Sequence, residues 1–298
     1  MPKETQDSDS DDGPRPFDRA TDLVMRGLIR ATLALPYRTR LSAFGALTQH
    51  LVGPLAGYTT RSRQNLEMIY PDWPEEQRNR VAGEVARNMG RVLIENYGPK
   101  DLAARAATFP LEGDGLVDLI EAAKSGQRIL AVSAHYGNYE AARAALHHHG
   151  ISFGGVYRPM RNTYFNAHYV DTIRAVAGPV FPSTPAGMTG FVRQMLKGVP
   201  MMLLNDLNVW GGEKLSFLGK PARTALTAAE MALRYEAHLF PIYGIRQSKN
   251  LLDYRVLIEP PVPPTTAKAM TLALNHSLEQ LIAVDPAQWF WIHRRWKS

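Results

Sequence analysis

The chain has no cysteine. That excludes disulfides, thiolate metal sites, cysteine nucleophiles and thiol-ligated iron–sulfur clusters. It lacks any apolar run near the roughly 18 uncharged residues that a spanning helix needs, and its first residues show no basic head, short apolar stretch and small-residue cleavage site. Export and stable membrane spanning are both disfavoured on these grounds. There is no internal repeat, no nucleic-acid recognition motif and no basic strand interleaved with aromatics, so nucleic acid is not an expected partner. What remains is 298 residues at 45% hydrophobic and 21% charged, enough to bury a sizeable core as one large domain or a domain with an appendage.

The net charge of +6 is unevenly spread. Residues 1–18 hold six acids against Lys3 and Arg15 and are punctuated by Gly13, Pro14 and Pro16, the composition of a disordered acidic lead. Residues 19–63 then carry seven arginines, no lysine and one acid, Asp22. Within them Leu23, Val24, Leu28, Ile29 and Leu35 alternate with a polar stripe of Asp22, Arg26 and Arg30, which predicts an amphipathic helix stopped at Pro36. A second helical stretch, from Leu41 to Val52, is expected to stop at Pro54. Arginines beside exposed apolar faces suit an anionic membrane surface. Two helices packed on the main domain with solvated arginines explain the same pattern.

Further along, Asp72, Pro74, Glu75 and Glu76 signal a helix start, and Val81, Val85, Met89 and Leu93 carry one face through to Tyr97. After a helix over 116–125 come short apolar runs alternating with helices: 129–134, 152–157, 180–182, 201–204, 238–245 and 254–258. This rhythm predicts an α/β fold with a mostly parallel central sheet flanked by helices, preceded by an N-terminal helical appendage. A proline cluster at 260–264 and a helix over 265–283 follow.

Ligands of doubly wound sheets sit beyond the carboxyl ends of strands. There Ile129–Ala134 runs into His135, Tyr136, Gly137, Asn138, Tyr139 and Glu140. If the glycine-containing turn folds Glu140 back onto one imidazole nitrogen, the other nitrogen becomes a base able to activate a hydroxyl for attack on an acyl carbon. A strand-end histidine bonded to a neighbouring turn is the competing reading. His147, His148 and His149 point in three directions on a helix and cannot all ligate one ion, so no metal and no cofactor is expected.

The block His135–Glu140, HYGNYE, resembles the HFGNWE block of the bacterial lipid A biosynthesis acyltransferases. Asn65-Leu66 with Tyr70-Pro71-Asp72 resembles that family's NL…FP segment, and Val156-Tyr157-Arg158-Pro159 with Asn162 its YRP…N block. Phe217–Ala222 resembles FFGRPA, Phe240-Pro241-Ile242 a VVPV strand, and Trp291–Lys297 a terminal WLHRRFK. The blocks keep the family's order over roughly residues 24 to 298. The chain departs from the pattern where Asn205-Asp206-Leu207-Asn208 lacks a glutamine, where Thr227 replaces a glycine, and where Arg26 and Arg30 interrupt a segment that spans the membrane in many members.

The resemblance implies a glycerolipid acyltransferase-like fold over residues 64–298, with residues 19–63 associating with the membrane. It implies transfer of a fatty acyl group from acyl carrier protein or acyl-CoA to a hydroxyl of a lipid A precursor or related membrane lipid. A lysophospholipid, aminolipid or glycolipid acceptor, or a noncatalytic lipid-binding homologue, is the alternative. His135 would be the general base and Glu140 its orienting carboxylate, with backbone amides of the following turn available to an oxyanion. Arg158, Asn138 and Asp206 are the substrate-binding candidates: Arg158 would grip phosphate or pantetheine, and Asp206 would orient Arg158 or the acceptor. Arg294, Arg295 and Lys297 would face lipid phosphate, an acidic carrier or solvent. The implied location is peripheral, on the cytoplasmic side of the inner membrane.

Overall fold

The computed structural model describes residues 17–247 and 250–297, so most of the acidic lead lies outside the described residues. The chain opens with α1 (Asp18–Leu33) and α2 (Tyr37–Leu47), separated at Pro36, which has no N–H to continue the first helix and whose ring crowds the preceding turn. The second helical run does not stop at Pro54. A π-helical turn, Thr48–Val52, carries it into the short α3 (Gly53–Leu55), and it ends where Gly57 takes a left-handed φ of 70°. Then come α4 (Tyr58–Ile69), α5 (Glu75–Asn96) and α6 (Pro99–Ala106). The expected boundary at residue 63 falls inside α4.

The rest alternates: β1 (Leu111–Glu112), α7 (Leu116–Lys124), β2 (Ile129–Ser133), α8 (Tyr139–His148), β3 (Gly154–Tyr157), α9 (Thr163–Arg174), β4 (Val180–Pro182), α10 (Pro185–Leu196) and β5 (Met201–Leu204). A hairpin of β6 (Glu213–Phe217) and β7 (Lys220–Thr224) follows, then α11 (Thr227–Arg234), β8 (His238–Arg246), β9 (Tyr254–Ile258) and α12 (Ala267–Val284). Leu218 and Gly219 turn the hairpin with φ of 50° and 73°, the two positive values a tight two-residue connection demands.

Seven strands form one sheet in the order β1-β9-β8-β2-β5-β3-β4, parallel at every pairing except β8 with β9. The sheet is thus mostly parallel and helix-covered, with α1–α4 as an appendage before it. Central β2 is buried on both faces. Its alternate residues feed two cores: Ile129 and Ala131 pack toward Leu119, Ala145 and Phe153, whereas Leu130 and Val132 pack toward Phe191, Met195 and Met270. A third cluster seals the carboxyl end of the sheet, where Tyr136, Tyr243, Trp289 and Trp291 pack with Leu66 and Val85. Aromatic rings of this size each withdraw about 150–250 Å² from water, which fixes the C-terminal segment over the strand ends. Asn65 fastens the same segment by donating to the carbonyls of Trp291 at 2.7 Å and His293 at 2.9 Å.

Candidate active site

Neighbouring β2 and β5 pair Ser133 with Leu204, so their carboxyl ends leave the sheet side by side. One leads to His135 and the other to Asp206. The Asp206 carboxylate accepts the His135 backbone N–H at 3.0 Å and lies 2.9 Å from ring Nδ1, while Trp289 Nε1 donates to it at 3.0 Å. Asp206 is almost fully buried. Burial disfavours its ionised form, yet the imidazole, the amide and the indole together hold its carboxyl below the usual range. Burial likewise disfavours the imidazolium of His135, and the charge and hydrogen bond of Asp206 outweigh it, so this histidine titrates above its ordinary value. With Nδ1 held, Nε2 is the nitrogen left to act as a base.

Glu140, expected as the orienting carboxylate, is occupied elsewhere. Its Oε2 accepts from Arg143 Nη1 at 2.7 Å, both side chains being buried. Arg143 continues to the carbonyls of Phe153 and Ala177. Residues three apart on a helix share a face, and this pairing wins over a reach back across the turn. Burial pushes the Glu140 carboxyl up against the opposing pull of Arg143.

Asn138, expected at the substrate, caps α8 instead. Its Oδ1 accepts the Glu140 N–H at 3.0 Å and its Nδ2 donates to Glu95 at 3.3 Å, leaving it fully buried. Of the turn amides expected to meet an oxyanion, Gly137 N is committed to the Gln288 carbonyl at 3.0 Å and Asn138 N to the Gly244 carbonyl at 2.8 Å, while the amide of His135 itself donates to Asp206. Gly137 has a φ of +57°, and a Cβ there would stand 2.1 Å from the Gly244 oxygen, so only glycine lets the turn lie against β8. Arg158 lies just past β3, exposed, and lines neither the groove beside His135 nor the pocket next to it. Asp206 bonds the histidine, and no hydrogen bond or ion pair among the described residues joins it to Arg158.

Beneath the turn lies a buried cluster with no sequence signature. Glu95 accepts from Arg246 Nη2 at 2.5 Å, Tyr254 at 2.5 Å, Tyr37 at 3.1 Å and Asn138 at 3.3 Å. One carboxylate thus ties α2, α5, β8, β9 and the turn together.

His135 opens onto an apolar groove of about 250 Å³. Val85, Met89, Val92 and Leu93 form one wall at helical spacing along α5, and Phe290 and Met160 close it. The α5 stripe is visible in the sequence as an apolar face, with nothing to say that part of it faces a groove.

The profile of the family described as bacterial lipid A biosynthesis acyltransferase matches residues 17–298. The chain belongs to this family. It is 28% identical over 290 residues to a lipid A biosynthesis acyltransferase of Haemophilus influenzae, covering 90% of this chain and 88% of that protein. A second acyltransferase of that name and organism is 24% identical over 269 residues, covering 87% and 81%. A lipid A biosynthesis palmitoleoyltransferase of Escherichia coli is 24% identical over 254 residues, covering 80% and 78%. The chain is accordingly an acyltransferase. No helix among the described residues is long and apolar enough to cross a membrane.

Proposed function

We propose that the protein moves a fatty acyl group from a thioester, on acyl carrier protein or coenzyme A, to a hydroxyl of a lipid A precursor or related membrane lipid. The observation that carries this reading is His135 at the head of an apolar groove, with Nδ1 held by buried Asp206 and Nε2 left over. Nε2 takes the proton of the acceptor hydroxyl as its oxygen attacks the thioester carbonyl. Asp206 stabilises the imidazolium so formed. When the tetrahedral intermediate collapses, the carbon–sulfur bond breaks and the imidazolium returns its proton to the departing thiolate. No protein nucleophile is required, and the groove gives the acyl chain an apolar path.

The protein acts, on this reading, at the cytoplasmic face of the inner membrane. Support comes from α1, which buries Asp22 and Ile29 while leaving Leu23, Val24 and Leu28 exposed beside exposed Arg30. Such a face gains from apolar insertion and from anionic headgroups together. Vesicle flotation should show binding that rises with anionic lipid and falls with salt.

The chemistry is tested with His135→Ala, checked for an unchanged fold by circular dichroism and assayed for thiol release with acyl donor and membrane lipid. A loss of about 10²–10⁴-fold is expected for removal of a general base. Wild-type turnover in the folded variant overturns the mechanism; a wild-type protein that binds lipid yet never releases thiol would be a binding homologue.

A further inference from the structure

A second cavity, about 470 Å³, opens beside the acyl groove and shares Met89 and Phe290 with it. Its character is different. Arg61 of α4 and Arg294 and Lys297 of the C-terminal segment line it, together with His293, and among the described residues no carboxylate does. Among the described residues none of these three cations sits in an ion pair; Arg61 donates only to the Ile292 carbonyl, at 3.3 Å. Cations gathered in one concavity repel each other, a cost that a bound anion removes.

His293 adds a donor. Its Nε2 accepts the backbone N–H of Asn208 at 2.8 Å, so the neutral ring carries its proton on Nδ1. Arg295, by contrast, is not part of the pocket. It is fully buried, stacks over Phe217 at 5.1 Å and donates to Thr224 Oγ1 at 2.6 Å. The sequence treats the neighbouring basic residues alike, and the structure separates them.

We infer that this pocket binds a phosphate group of a substrate, seated beside the groove so that the phosphate and the reacting centre are held together. The inference rests on the acyl-transfer reading of the groove. A planar guanidinium fork and a lysine ammonium converging from separate elements suit the oxygens of a phosphate monoester. Asn208 forms part of the wall, and the same loop runs back to Asp206 and on to Trp210, which is 95% exposed. An exposed tryptophan on the loop that supplies Asn208 is the side chain expected at a membrane–water boundary, which favours a phosphorylated lipid over the phosphopantetheine arm of the donor.

The test uses the full chain and Arg294→Gln combined with Lys297→Gln, both exposed positions whose truncation leaves the core untouched. Binding of dihexanoyl phosphatidic acid, followed by ³¹P line broadening, should weaken at least about tenfold in the double variant, as expected when charge-assisted bonds are lost. Equal binding by the two proteins overturns the site whether or not the wild type transfers acyl groups. Kinetics then locate the phosphate. A raised KM for a phosphorylated lipid acceptor assigns it to the acceptor, and a raised KM for the thioester alone assigns it to the carrier arm, the same chemistry from the other source. Wild-type protein that binds the phosphatidic acid through these residues yet transfers to no acceptor keeps the site and sinks the transfer reading.

Discussion

Asp206 holds His135 at two points, the ring and the backbone, although the residues lie 71 positions apart. A carboxylate that fixes both the tautomer and the strand-end geometry does more than pair with a charge. Asp206→Asn should therefore cut turnover by on the order of 10²-fold or more, by analogy with the loss of tautomer control at other carboxylate–histidine pairs. Retained thiol release in a folded Asp206→Asn protein would show that the pairing is structural only.

The same pair sets a pH dependence. His135 is raised because Asp206 outweighs burial, and on the proposed mechanism it works as a base only when neutral. As pH falls through that raised value the imidazole protonates and kcat/KM drops; as pH rises above it the rate levels off. In Asp206→Asn the opposing charge is gone and burial alone remains, so the acidic limb should move to lower pH. A limb at the same pH in both proteins would mean that another group titrates.

Glu140 should behave differently from Asp206. Removing it leaves Arg143 buried without its counter-ion, and breaking a buried pair from one side costs about 3–5 kcal/mol. Glu140→Ala should lower the urea midpoint clearly, with lost activity following lost stability. An unchanged midpoint combined with a dead enzyme would restore the carboxylate to a direct part in the chemistry.

Gly137→Ala probes the turn itself. A non-glycine residue at its φ of +57° costs of order 1–3 kcal/mol, and the added Cβ would also have to displace the Gly244 carbonyl 2.1 Å away. Both stability and turnover should fall, the latter more than the midpoint alone explains, since the turn carries His135. Full activity in Gly137→Ala would show that the turn has room the structure denies it.

Much of this was legible in the sequence because strand and helix periodicity are local. The runs 180–182, 201–204 and 254–258 coincide with β4, β5 and β9, and the His135 turn sits where a parallel sheet places its chemistry. The partner of His135 was not legible, since it depends on β5 lying next to β2, an order no local pattern encodes. Glu140 misleads for a related reason: its spacing from His135 fits a dyad, but Arg143 at i+3 shares its helix face, a competing signal that was in the sequence. The β6–β7 hairpin escaped because its tight turn uses Leu218 at a positive φ, a conformation that leucine does not advertise.

Glu95 has a mechanical consequence. Through it Tyr37, in the appendage that exposes the apolar face, and Asn138, which caps the helix after His135, share one buried carboxylate. Loosening either end removes one of that carboxylate's four partners while Arg246 and Tyr254 stay, so the two ends should be coupled through it, and amide exchange in α2 and at the start of α8 should respond to the same perturbations. The N-terminal helices are then no detachable tether: a chain trimmed of α1 and α2 to improve solubility would also lose one of the contacts on the carboxylate beneath the His135 turn.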